Sequence, residues 1–167
     1  MNSRISTAGR LALAAMLTVL PASTVLAQAN NLSVLGSLGG HGFGAVQGGA
    51  LQATASGSGN ASQIGRFTYA LQATVDLAGG TSTGLFLLVF SNGEVINGSF
   101  SGQGGPTSTP NVGRIVERLT INGGTGRFQG ATGSLTLDRL VDQTTLPAFE
   151  SHSGTLTGTI STPGPTK

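Results

Sequence analysis

After residue 30 no segment of this chain sustains a helical period. Short runs rich in Thr, Val, Ile, Leu and Phe are instead cut by Gly, Asn, Ser and Pro at roughly ten-residue intervals, the pattern of a β-sandwich or β-barrel. The runs predict strands near Ala45–Ser56, Ile64–Asp76, Ser82–Ser91, Glu94–Gly102, Gly113–Ile121, Gly133–Val141 and Ser153–Ser161. An eighth is expected either around Leu146–Ser151 or in the Asn31–Leu38 stretch. The fold class expected is therefore all-β, a single antiparallel domain.

The segment before these strands has a different character. Arg4 and Arg10 precede the apolar run Leu11–Leu20, Pro21 breaks it, and Ala27 and Ala29 supply the small-x-small pattern of a cleavage site. That order reads as a signal peptide over residues 1–29 and implies export by the general secretory route, to the periplasm or beyond the cell. The apolar run is far short of the roughly 20 residues that span a bilayer. Residues 30–44 then read as a lead-in, 45–161 as the β domain and 162–167 as a disordered tail. Arg4 and Arg10 account for two of eight Lys and Arg, which leaves six basic residues against six acids. A neutral chain has no basic field for nucleic acid or anionic membrane. With no Trp and one Tyr it also lacks the aromatic girdles of an outer-membrane barrel.

Asn92-Gly93 is the pair preferred in a two-residue type I′ hairpin. Setting Ser91 opposite Glu94 puts Val89 across from Ile96, Leu87 from Gly98 and Leu85 from Phe100, an apolar set that reads as core. The other face then carries Phe86, Leu88, Phe90 and Val95 beside Asn97 and Ser99. A strand with one wet side should alternate, so these four side chains need cover from another subunit, a long loop or the N-terminal segment. They are the candidate interface of a homo-oligomer.

A second register follows from the turn NGGTGRFQGATG, Asn122–Gly133. With Ile121 opposite Leu135, Glu117 meets Arg139 on an otherwise apolar face. The pair is either a polar group inside a barrel, able to orient a ligand, or a structural pair, or an outer-face pair worth roughly 0–1 kcal/mol. Tyr69, in step with Phe67 and Leu71, is expected to face the core with its hydroxyl bonded, or to touch a ligand. The turn itself has the wrong spacing for a dinucleotide loop and no Lys-Ser/Thr of a P-loop. Its glycines suit tight turns, with Phe128 directed inward to plug a barrel end. The pentapeptide ALQAT occurs at Ala50–Thr54 and Ala70–Thr74, through a duplicated hairpin or through chance. His41 and His152 lie far apart in sequence and there is no cysteine, so no metal or other cofactor is expected.

The segment Gly123–Gly133 resembles the GGTG-[RK]-F-x-G-A-x-G signature of the allene oxide cyclase and dirigent-protein barrel superfamily, and most resembles its bacterial secreted members. Ile64–Thr68, Ser91–Gly93 and Gly154–Ser161 occur in matching order. The resemblance spans about Ala50 to Ser161 and implies an eight-stranded antiparallel up-and-down barrel, trimeric in its plant members. It transfers no catalytic residue to this chain, since one fold hosts many chemistries. Two functions are expected from these readings. One is a non-enzymatic exported barrel that binds a small apolar ligand or serves as an oligomeric module. The alternative is an isomerase or cyclase with Glu117 as acid or base and Arg139 as its partner.

Overall fold

The computed structural model describes residues 29–144 and 150–164. Residues 1–28 of the expected signal peptide, residues 146–149 of the alternative eighth strand and residues 165–167 of the expected tail lie outside them. Eight strands follow one another: β1 (Asn30–Gln47), β2 (Ala50–Ala61), β3 (Gly65–Asp76), β4 (Thr81–Phe90), β5 (Val95–Pro106), β6 (Val112–Gly124), β7 (Thr132–Asp142) and β8 (Glu150–Thr162). Each pairs antiparallel with the next, and β1 also pairs with β8, closing an up-and-down barrel. Closure leaves no unpaired sheet edge.

The lead-in is part of this barrel. Residues 30–44 belong to β1, and the expected strand Ala45–Ser56 straddles a turn at Gly48 and Gly49, whose φ values of 59° and 86° make a two-residue type I′ hairpin. The first half of β1 is the Asn31–Leu38 stretch, one of the two places expected for the eighth strand; beyond it Gly39, Gly40, Gly42 and Gly44 weaken strand propensity, and that part does not read as a strand.

The Asn92-Gly93 turn corrects a second expectation. The Phe90 N–H donates to the Glu94 carbonyl at 2.9 Å, and the Gly93 N–H to the Phe90 carbonyl at 2.9 Å. The loop is therefore Ser91-Asn92-Gly93, three residues with Gly93 at φ 82°, and the register moves by one: Leu88 lies opposite Ile96 and Phe86 opposite Gly98. A one-residue slip turns a strand over. Phe86, Leu88 and Phe90 point into the barrel, 3 %, 2 % and 5 % exposed, covered by the barrel itself. The proposed interface residue Val95 is half-buried opposite Val89, and the outward apolar side chains of β4 are Leu85 and Leu87.

One end of the barrel is sealed. A turn of 3-10 helix, Gly126–Phe128, carries Phe128 into the interior, fully buried against Phe90 with ring centroids 4.8 Å apart. Ile64 and Ala131 close the same end. Arg127 lies across the plug, its guanidinium carbon 4.6 Å from the Phe128 ring centroid. Its backbone N–H donates to Glu94 Oε1 at 2.9 Å, and its Nη2 to the Ile64 carbonyl at 3.2 Å. At Gly126, φ 58°, a Cβ would stand 2.3 Å from Glu94 Oε1 and displace the carboxylate that holds the Arg127 N–H, so this glycine serves the plug.

Candidate functional site: a half-polar cavity in the barrel

The opposite end, which carries the β1–β2, β3–β4, β5–β6 and β7–β8 connections, holds a cavity of about 120 Å³. Its apolar wall comes from β2 and β3. The two ALQAT segments pair antiparallel about Ala53 and Ala73, and each turns its Leu and its second Ala inward: Leu51 and Ala53, Leu71 and Ala73. Their Gln and Thr point outward, where Thr74 Oγ1 donates to Gln52 Oε1 at 3.0 Å. Phe100 and Ile115 extend this wall, and Leu77 and Gly80 stand at the mouth.

The facing wall is polar: Glu117 from β6, Arg139 from β7 and Glu150 from β8; Ser82 of β4 also lines the cavity, beside Val75 of β3. Arg139 Nε donates to Glu117 Oε2 and Nη2 to Glu117 Oε1, both at 3.1 Å, a two-pronged pairing that engages both carboxylate oxygens. Its Nη1 donates to Glu150 Oε1 at 3.1 Å, and His152 Nδ1 stands 3.2 Å from that same oxygen, off the line of a good hydrogen bond. On the far side of the imidazole, Nε2 meets the Tyr69 hydroxyl.

Expectation and structure agree here on the face and differ on the register. Glu117 lies opposite Leu137, and Arg139 opposite Ile115, so the pair is diagonal. The displacement is two residues, which leaves both side chains on the same face, and long side chains bridge a diagonal. The pair is inside the barrel, with residue exposures of 1 % and 6 %, which removes the outer-face alternative. Tyr69 is buried with its hydroxyl bonded and is not among the side chains that line the cavity. His41 is exposed on the outer face of β1, away from this cluster.

Reading the sequence missed Glu150, His152 and Ser82. The signal was present in β8, where Glu150, His152, Gly154, Leu156, Gly158 and Ile160 alternate on one inward face. Inward glycines seat the whole cluster. Tyr69, Gly57, Gly40 and His152 form one row across β3, β2, β1 and β8. A Cβ on Gly40 or Gly57 would stand 2.5 Å or 2.7 Å from the Tyr69 hydroxyl oxygen. Gly102 likewise lies under Glu117 and Ser82, Gly154 beside Arg139, and Gly42 beneath Glu150. Alternating small and large inward residues is how a narrow barrel is filled.

Charge inside the barrel follows from these contacts. Burial works against the Arg139 cation, but Glu117 and Glu150 outweigh it and hold the guanidinium above its ordinary value. Burial also opposes the Glu150 anion, yet His152 and Arg139 prevail and lower its pKa. The Tyr69 phenol is pushed from 10.0 up to about 12, by burial first; Arg139 pulls it back, and Glu150 and Glu117 add to the rise. A raised phenol keeps its proton in the fold after the unfolded chain has lost it. Its contribution to stability is therefore complete below pH 10 and disappears as pH climbs through about 12. Tyr69 is the only tyrosine and there is no tryptophan, so tyrosinate absorbance in an alkaline titration reads this one group. A midpoint near 12 is expected, and a midpoint at 10 would show that its hydroxyl is open to water.

Among the described residues no group of three or more His, Cys, Asp or Glu could hold a metal ion, and no helix is long and apolar enough to cross a membrane. No family model matches the chain, and neither a curated protein nor a solved structure matches it.

Proposed function

We propose that this chain is an exported, non-enzymatic β-barrel that binds one small, largely apolar molecule in the cavity between the ALQAT wall and the Glu117–Arg139–Glu150 wall. One observation carries the reading. Ser82 lines the cavity, and its buried Oγ has no hydrogen-bond partner among the described residues. A hydroxyl taken from water without a partner costs about 1–3 kcal/mol, so its retention is explained by an occupant that bonds it. The N-terminal charge, apolar run and small-residue exit support export. The glycine-rich motif and the eight-stranded barrel support placing the chain with the allene oxide cyclase and dirigent-like proteins.

The isomerase or cyclase alternative requires Glu117 to exchange a proton. Both its oxygens are held by Arg139, so that role demands opening the fork first, and the binding reading is preferred.

Native mass spectrometry of the protein purified from its own host tests the proposal. The expected result is a reproducible added mass that disappears in Ala73→Leu, which fills the cavity from β3. Bare protein from every extract would overturn the reading. The same spectrum gives the assembly state, and association of copies would bury outward Leu85 and Leu87 rather than Phe86, Leu88 and Phe90.

A further inference from the structure

The binding reading leaves the chemistry of the occupant open, and the charges inside the barrel narrow it. Two carboxylates, Glu117 and Glu150, share one guanidinium, that of Arg139. The guanidinium is already committed: Nε and Nη2 to Glu117, and Nη1 to Glu150. Glu150 is the most exposed of the three, with 16 % of its side chain accessible against 7 % for Arg139 and 2 % for Glu117, and it lines the cavity. Ser82, whose buried Oγ has no partner among the described residues, lines the same cavity. Leu51, Leu71, Val75 and Phe100 supply the apolar lining, with Val75 directly beside Ser82 on the β3–β4 ladder.

We propose that this cavity selects small apolar amines: a protonated amino group meets the carboxylate side of the polar wall and Ser82 Oγ, and the hydrocarbon lies on the β2–β3 wall. The inference rests on the binding reading above and specifies its ligand class. An ammonium sets a cation beside the Glu150 carboxylate, an alcohol sets only a neutral donor there, and a carboxylate sets like charge against like. Buried charge is tolerated where it is paired. Size agrees with a short chain, since a cavity of roughly 150 Å³ accommodates benzene and this one measures about 120 Å³.

Three molecules with one hydrocarbon and different heads test it: n-pentylamine, 1-pentanol and pentanoate, titrated at pH 8 and followed by shifts of the Ala53, Ala55 and Ala73 methyl resonances. The amine is expected to bind about tenfold more tightly than the alcohol, the scale of one charge-assisted hydrogen bond, and pentanoate not to bind. Glu150→Gln should remove the advantage of amine over alcohol while alcohol binding persists. Ser82→Ala should weaken both. Alcohol binding as tightly as amine, or pentanoate binding best, would overturn the amine inference and leave the cavity reading standing. If none of the three moves the methyl resonances, or the shifts survive in Ala73→Leu, both readings fall. Should Glu150→Gln not fold, the wild-type ranking of the three heads still decides.

Discussion

Arg139→Met is expected to destabilise the protein by about 3–5 kcal/mol, because it strands the Glu117 carboxylate in the interior without a partner. Glu117 is 1 % exposed, and both its oxygens are bonded to that one guanidinium. Urea unfolding of the variant measures the loss. The double variant Glu117→Leu, Arg139→Met should recover the part owed to Glu117, since a buried ion pair replaced by apolar groups of similar volume is often neutral or stabilising; Glu150 also loses Arg139 but keeps His152 Nδ1 beside it and is the most exposed of the three. The two results together separate the roles open to the pair. Recovery means that stability does not require the polar wall, so its presence answers to what the cavity holds. A double variant as damaged as the single one would make the pair a structural element, and the case for the cavity would then rest on Ser82 alone.

How much of this was legible in the sequence depended on parity. The β6–β7 register differed by two residues from the expected one, and Glu117 and Arg139 still came together on the inner face. The β4–β5 register differed by one, and the faces of β4 were exchanged, so that Phe86, Leu88 and Phe90 entered the core instead of an interface. The difference is one loop residue, Ser91, which joins Asn92 and Gly93 in a three-residue turn, and Asn-Gly suits either turn length. β1 was legible only in its first half, where Val34 and Leu38 face inward; beyond them the inward positions Gly40 and Gly42 carry no side chain and give no hydrophobic alternation. Those glycines are explained only by what lies over them in space, Tyr69 and Glu150, which come from strands distant in sequence. Glu150 and His152 were hidden for a related reason. Taken alone each is an isolated polar residue at a strand start, and only closure of β8 onto β1 and β7 brings them beside Tyr69 and Arg139.

The plug gives the other large effect, at the end of the barrel away from the cavity. Phe128→Ala should cost about 3–5 kcal/mol, the usual range for removing a fully buried phenylalanine ring. The turn that carries Phe128 is tied by hydrogen bonds from Thr125 N–H to the Val95 carbonyl and from Arg127 N–H to Glu94. It therefore has little freedom to collapse into the space left behind, which argues for the upper part of that range. The stacked Arg127 loses its aromatic floor as well. Phe128→Leu keeps most of the volume and should cost less than about 1.5 kcal/mol beyond the loss of ring contacts. Denaturant midpoints should fall with the slope of the transition unchanged, the sign of a lost core contact rather than a changed unfolded state. Because Phe128 does not line the cavity, ligand affinity should be the same in Phe128→Leu as in the wild type, whereas Ser82→Ala should lower affinity and stabilise the ligand-free barrel by about 1–3 kcal/mol, the cost of its unpartnered hydroxyl. Loss of binding in Phe128→Leu would mean that the two ends are mechanically coupled, and that the cavity depends on the plug for its shape.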